Sequence, residues 1–487
     1  MTSAARRSSG LGGVTTFLAA WNSQAVLVLF GPLRADLRAS GAQLVWIAAA
    51  FDVAAATALR GGAMWSRRSG GRTVLAVGAA VFAVASAGCA LSGGWTYLVI
   101  ARAAQGAAAA AVVAAAFDQL TVLGPGGGNG ARRMARTVAE NGAGKSGAGL
   151  GAEDGSTART SGIRGIRTGG LGAALAGGPL LACAVAIHDW RLVFWSDAAV
   201  GVAVCAAALL RGGEWRPGTA AVTPREPFDI ATMLLIGTAL AGPVGALAEA
   251  GTVGWGSVRT LALLAVGAAA LVPLLAWETP IGGLHGRAFA ASQVADLCLF
   301  ASMSGVLLLL AGYFHDVDGA GPLGVGLRLL PWSAAVAVAM PLALSVDARG
   351  MRSVIAAGMS LHAFSLLALA AAVHARGSGL WLAVPLSLSG VGVSLALPAA
   401  RHAAVTVAGL RRPTGAVSGL GAVRLAGVAL GTALFAGVFA TGGGYLPGQR
   451  LVDGMVPAVT VAGLVAAIGA AAAFALPGRE RLKARNG

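Results

Sequence analysis

Charge is what this chain has least of. Only 11% of its 487 residues are Asp, Glu, Lys or Arg, while 56% are hydrophobic and the mean hydropathy is +0.76. A water-soluble fold of this length could not cover its core with so little polar surface. Acidic residues are the scarcer sign, 19 against 35 basic, for a formal net charge of +16. Cysteine is almost missing: Cys89, Cys183, Cys205 and Cys298 fall in apolar runs without pairing or ligand spacing, and read as small buried hydrophobes. The six histidines are scattered, so the clustered His, Asp or Glu ligands that an intramembrane enzyme would need are not apparent. The sequence therefore implies no enzyme, no metal and no cofactor.

What the chain does have is long apolar runs. Fourteen are visible, over approximately 13–33, 43–59, 73–91, 96–122, 169–187, 192–210, 230–250, 258–276, 290–313, 326–346, 353–373, 379–399, 416–439 and 455–476. Each can cross a hydrocarbon core, which needs about 20 helical residues. Runs of this length satisfy their backbone in lipid as helices. The first follows Arg6 and Arg7, but it is too long for a signal-peptide core and has no clear cleavage site, so it reads as a retained span. The expected fold class is all-α integral membrane, with 14 transmembrane helices.

The basic residues fall in every second gap. With Met1 in the cytoplasm, 26 of the 35 lie in cytoplasmic segments and six in external ones. That bias places both termini inside a cell (inner or plasma) membrane. Anionic lipid, not nucleic acid, is the expected partner of the positive charge.

One internal repeat is present. A shift of 280 positions lays Gly70-Gly-Arg72-Thr-Val-Leu-Ala-Val-Gly78 over Gly350-Met-Arg352-Ser-Val-Ile-Ala-Ala-Gly358. Both stretches join two spans on the cytoplasmic side, which implies two six-span halves related by an axis along the membrane normal. The expected division is 1–210 for the N-terminal bundle, 211–289 for a linker with two extra spans, 290–476 for the C-terminal bundle and 477–487 for a cytoplasmic tail. Residues 124–168 interrupt the first half as a Gly- and Ser-rich, basic segment, expected to be a flexible cytoplasmic loop. It contains Gly142-Ala-Gly-Lys-Ser146, but the phosphate-loop pattern needs a glycine where Ala139 stands and a preceding strand.

Ionisable side chains inside the bilayer are costly, so each is a functional candidate. Asp52 lies near the middle of the second span, and a carboxyl there could exchange a proton during transport. Arg102 in the fourth span, Asp296 in the ninth and Arg424 in the thirteenth could pair with a partner charge or touch substrate. His362 reads as a hydrogen-bonded packing residue. Asp118, Asp197 and Glu249 lie near span ends, within reach of headgroups.

Several stretches together resemble the major facilitator superfamily, specifically its 14-span drug:proton antiporter branch. Leu98-Val-Ile-Ala-Arg102-Ala-Ala-Gln105-Gly106 is similar to the family's arginine motif, and Ala176-Gly-Gly178-Pro179 to its antiporter Gly-Pro motif. Asp189-Trp190-Arg191-Leu-Val-Phe194, Trp46 followed by Phe51, Gly319 to Pro331, and Arg424-Leu-Ala-Gly427 resemble further signatures in the right order. The resemblance implies two six-helix bundles with two extra central helices, alternating access, and a monomer. It implies proton coupling at Arg102, with Asp52 as its partner by the residues' own placement, and a helix shaped by Gly178 and Pro179. It also implies a cytoplasmic gate at Arg67, Arg68, Gly70, Arg72, Asp347, Arg349, Gly350 and Arg352.

The chain departs from that pattern in three places. The first gating motif, Gly62-Ala-Met-Trp-Ser-Arg67-Arg68-Ser-Gly70-Gly-Arg72, has no aspartate. Ser23 stands where the branch has an Asp in its first span, and Ala182-Cys183 replaces the trailing Gly-Gly of the Gly-Pro motif. The expected function is export of a small amphipathic organic molecule driven by protons. An importer of the same fold, or a non-transporting sensor or assembly protein with eroded motifs, are the rival readings.

Overall fold

A computed structural model describes residues 3–122, 172–210, 229–278, 284–345, 351–375, 380–408, 413–443 and 449–476. The 124–168 segment, the 477–487 tail and the gate candidates Asp347, Arg349 and Gly350 lie outside the described residues.

The chain begins with α1 (Ser3–Ala25), a 3₁₀ turn over Val26–Leu29, and α2 (Phe30–Leu37). It continues through α3 (Gly41–Ser69), α4 (Gly71–Ala90), α5 (Trp95–Val122), α6 (Gly172–Val185) and α7 (Arg191–Leu210). Then come α8 (Ile230–Val253), α9 (Val258–Glu278), α10 (Leu284–Asp316) and α11 (Pro322–Ser345). The last are α12 (Met351–His374), α13 (Leu380–Ala408), α14 (Pro413–Thr441) and α15 (Gln449–Ala473). Among the described residues, twelve spans are long and apolar enough to cross a bilayer, counting α1–α2 as one. Two shorter apolar helices, Gly172–Val185 and Val258–Leu274, complete the fourteen expected.

Local chemistry explains where the helices turn. Ser40 and Gln43 form a capping box: the Ser40 hydroxyl accepts from Gln43 N at 3.3 Å, and Ser40 N donates to Gln43 Oε1 at 2.8 Å. Gly70 joins α3 to α4 at φ +82°, a backbone region that glycine enters without a Cβ penalty. The apolar run predicts that the second span ends at residue 59, yet α3 continues to Ser69. Arg60 ends the hydrophobicity but not the helix, which carries exposed Arg67 and Arg68 beyond the apolar zone.

The helices form two sets of six with matching contacts. In the first set α3 packs on α5, α4 on α5, and α4 on α7; in the second α11 packs on α13, α12 on α13, and α12 on α15. The 280-residue repeat is visible inside these contacts. A Cβ built on Gly78 would meet Val112 of α5 at 3.1 Å, and one on Gly358 would meet the Gly392 carbonyl of α13 at 2.8 Å. Val112 and Gly392 are themselves 280 positions apart, so the same glycine serves the same close helix approach in each half.

Among the described residues the halves meet where Val26–Leu29 and α2 pack on α10, and along two antiparallel seams. One is α3 against α14. The other is α6 against α11, where Gly172 faces Met340 and Gly326 faces Cys183. The two extra helices stand at the first seam: α8 packs on both α3 and α14, and α9 packs on α8. Gly267 of α9 leaves space that the Pro243 ring of α8 occupies. Val258 and Val272 of α9 are 85% and 67% exposed, as expected of a face whose solvent is hydrocarbon.

Candidate functional site

The N-terminal half encloses a polar cluster centred on Arg102, whose side chain is fully buried. Its Nη1 donates to Gln105 Oε1 at 2.7 Å and to Asn22 Oδ1 at 3.1 Å. Its Nη2 donates to the Asn22 carbonyl at 3.2 Å, and its Nε to the Ile47 carbonyl at 3.3 Å. The guanidinium also lies 4.5 Å from the Phe51 ring centroid, a cation–π distance. A buried guanidinium needs its donors satisfied, and here four of its five N–H groups find acceptors on α1, α3 and α5.

Two carboxylates complete the cluster. Asp52 on α3 accepts from the Ser23 hydroxyl at 2.6 Å. Asp197 on α7 accepts from Trp21 Nε1 at 3.0 Å and from Gln105 Nε2 at 3.4 Å, and that amide also donates to the Ser86 hydroxyl at 2.8 Å. The consecutive residues Trp21, Asn22 and Ser23 thus reach Asp197, Arg102 and Asp52 in turn. The 3₁₀ turn that interrupts the first span begins three residues later, at Val26.

Close packing of α3 on α5 makes the cluster possible. A Cβ on Gly106 would overlap the Phe51 carbonyl, so the glycine after Gln105 is what lets the Asp52 region approach the Arg102 helix. The sequence reading pairs Asp52 with Arg102 directly. In the structure both belong to one cluster, but Arg102 spends its donors on Asn22, Gln105 and Ile47, and Asp52 is held by Ser23.

Asp197 corrects an expectation. It was expected near a span end, within reach of headgroups, but it is only 2% exposed. The helix begins at Arg191, which places Asp197 almost two turns inside. Asp189 Oδ1 accepts from Arg191 N at 2.9 Å and so marks the helix start, but the inward orientation of Asp197 has no signal in its own segment.

In the C-terminal half, the separately flagged Asp296 and Arg424 form one bidentate ion pair. Arg424 Nε lies 2.7 Å from Asp296 Oδ2 and Nη2 lies 3.2 Å from Oδ1, joining α10 to α14 with the carboxylate wholly buried. Arg424 also stacks over Phe300 at 5.2 Å. His362 bridges Ser302 at 3.1 Å and Ser389 at 3.0 Å, tying α12 to α10 and α13.

At the arginine-rich end, Arg72 donates to the carbonyls of Ala208 at 2.9 Å and Leu209 at 2.5 Å. A cation there satisfies terminal carbonyls of α7 and complements its dipole. Arg352, at the equivalent position of the repeat, lies over the Phe474 ring at 5.4 Å. Arg60 pairs with Asp229 at 3.7 Å. Asp229 caps α8 and sits below the ordinary carboxylate range, because Thr232 donates to it from its hydroxyl and its backbone and Arg60 stands nearby. At the opposite end, Arg191 pairs with Asp36 at 2.8 Å and Trp190 Nε1 donates to the same carboxylate at 3.1 Å, which fastens α2 to α7. Gly178 and Pro179 are buried in α6, where Gly178 faces Gln24 of α1.

No protein-family model matches the chain. It is 27% identical over 376 residues to the tetracenomycin C resistance and export protein of Streptomyces glaucescens, covering 75% of this chain and 63% of that protein. It is 29% identical over 407 residues to the multidrug resistance protein Stp of Mycobacterium tuberculosis, covering 82% and 69% respectively. A probable actinorhodin transporter of Streptomyces coelicolor is 27% identical over 383 residues, with 74% and 60% covered. The chain thus spans between about three fifths and seven tenths of these relatives' length. Among solved structures, a peptide transporter, POT, superposes with TM-score 0.64 over 96% of this chain and 95% of that one. At 15% identity the likeness is one of fold.

Proposed function

We propose that this chain, 27–29% identical to antibiotic-resistance and export proteins, is a major facilitator secondary active transporter exporting a small amphipathic organic molecule in exchange for protons. The two halves rock about the α3–α14 and α6–α11 seams, exposing a midplane site alternately to each side. Arg102 and Asp52 form the proton-coupling centre. Asp296 and Arg424 hold the C-terminal half around the same path, and Gly178 with Pro179 shapes α6. Arg67, Arg68, Gly70, Arg72 and Arg352, with Asp347, Arg349 and Gly350, make the cytoplasmic gate. The protein works as a monomer in the cell membrane with both termini inside, its arginine-rich face against anionic lipid.

One observation supports this reading above the rest: a guanidinium and a carboxylate, Arg102 and Asp52, lie in adjacent spans with 0% and 1% exposure. Ionisable groups at that depth are rarely kept without a transport or coupling role. Everted membrane vesicles containing the protein, acidified inside and given ethidium outside, test it. Ethidium should accumulate and should leave when nigericin collapses the pH gradient. Accumulation equal to that in vesicles lacking the protein contradicts it.

A further inference from the structure

We propose that Asp52 and Asp197 share a single proton across Arg102, so that Asp197 carries the proton in one state of the cycle and Asp52 in the other. This rests on the proton-coupled reading above and adds a second proton-bearing site to it.

The argument begins with charge. The cluster holds one guanidinium, which does not give up its proton in proteins, and two carboxyls, Asp52 and Asp197, each no more than 2% exposed. With both carboxyls ionised the cluster is net negative in a low-dielectric interior, and with both protonated it is net positive. It is neutral only with one proton on the pair. Burying an uncompensated charge is the costly case, so the one-proton state is favoured.

Geometry indicates where the proton sits in this structure. Both oxygens of Asp197 accept hydrogen bonds, from Trp21 and from Gln105, as an ionised carboxylate does. Among the described residues Asp52 makes one hydrogen bond, from Ser23 to Oδ1, which leaves Oδ2 to carry the proton. Arg102 forms no ion pair with either carboxyl among the described residues; it reaches Asp197 through Gln105, which accepts from Arg102 and donates to Asp197. The titratable groups set against Asp197 from neighbouring helices are Arg102 on α5 and Cys89 on α4, while α1 presents uncharged Trp21 and Asn22.

The exchange is balanced: an O–H bond forms at Asp197 as the one at Asp52 breaks, and Arg102 keeps its protons and turns toward the newly ionised carboxylate. The first span is built to follow. Trp21, Asn22 and Ser23 each hold one of the three groups, and the 3₁₀ turn at Val26–Leu29 interrupts the helix just beyond them. Such mid-helix stretches often mark hinges.

Infrared spectroscopy of the purified full-length protein at neutral pH tests this, because a buried protonated carboxyl shows a carbonyl band that ionised surface carboxylates lack. The wild type should show the band. Both Asp52→Asn and Asp197→Asn should lose it, since the carboxylate that remains is then neutralised by Arg102. Asp197→Glu should keep it, which separates proton sharing from misfolding. A band that survives in either Asn variant means a proton fixed on one residue and overturns the proposal, as does a wild type without the band or its loss in Asp197→Glu. Ethidium accumulation by the same preparations reports separately on export: a band that behaves as described without transport would sink the functional reading alone.

Discussion

Replacing Arg424 with Met should destabilise the protein far more than replacing Arg424 and Asp296 together. The Asp296 carboxylate is wholly buried, and its charge is met by a guanidinium that is 12% exposed and contacts both oxygens. Removing only the cation leaves an uncompensated buried charge, which costs about 3–5 kcal/mol. In the double variant, Asp296→Asn with Arg424→Met, no charge is left behind. Its loss should be the packing and hydrogen-bond remainder, about 1–2 kcal/mol. Unfolding of detergent-solubilised protein by graded SDS, read as a double-mutant cycle, gives the coupling directly. A further variant, Asp296→Arg with Arg424→Asp, should recover part of the stability if the pair's role is to join α10 to α14. Equal losses in the single and double variants, or a single-variant loss below about 1 kcal/mol, would refute the charge-compensation argument.

Two other perturbations follow from the same geometry. Gly106→Ala should force α3 and α5 apart at the Phe51 carbonyl, costing about 1–3 kcal/mol by overpacking and impairing ethidium export; a variant as heat-stable and active as wild type would count against that helix contact. Asp229→Ala should cost about 1 kcal/mol at neutral pH through loss of the α8 cap. Because the Asp229 carboxyl is held below its ordinary value in the fold, its contribution is complete above the ordinary carboxylate range and fades as the pH falls through the lowered folded value. Wild type and variant should therefore converge in acid, and a gap that is constant with pH would show that the charge plays no part.

Apolar length and arginine placement are one-dimensional signals, and they carried the helix count and the six-plus-two-plus-six order. The 280-residue offset was equally readable, because Gly78 and Gly358 are small for the same packing reason in both halves. Pairings across the sequence were not readable. Asp296 and Arg424 stand 128 residues apart, and nothing in their own segments says that α10 and α14 cross there. Asp197 stands near the expected start of its span, but its carboxylate faces Trp21 and Gln105 inside the bundle, and which face of α7 turns inward is not written in its own segment. Nor could the apolar pattern locate the break at Val26–Leu29, since those four residues are as hydrophobic as the helix they interrupt.

The central claim is that the buried cluster around Arg102 moves protons while substrate moves the other way. Its most direct test reconstitutes wild type and Asp52→Asn in liposomes and records ethidium flux together with proton flux from an internal pH dye. Wild type should show ethidium and protons crossing in opposite directions, each dependent on the other. Asp52→Asn, still folded and inserted, should show neither uphill ethidium movement nor ethidium-dependent proton flux. Coupled fluxes that persist unchanged in Asp52→Asn would contradict the account.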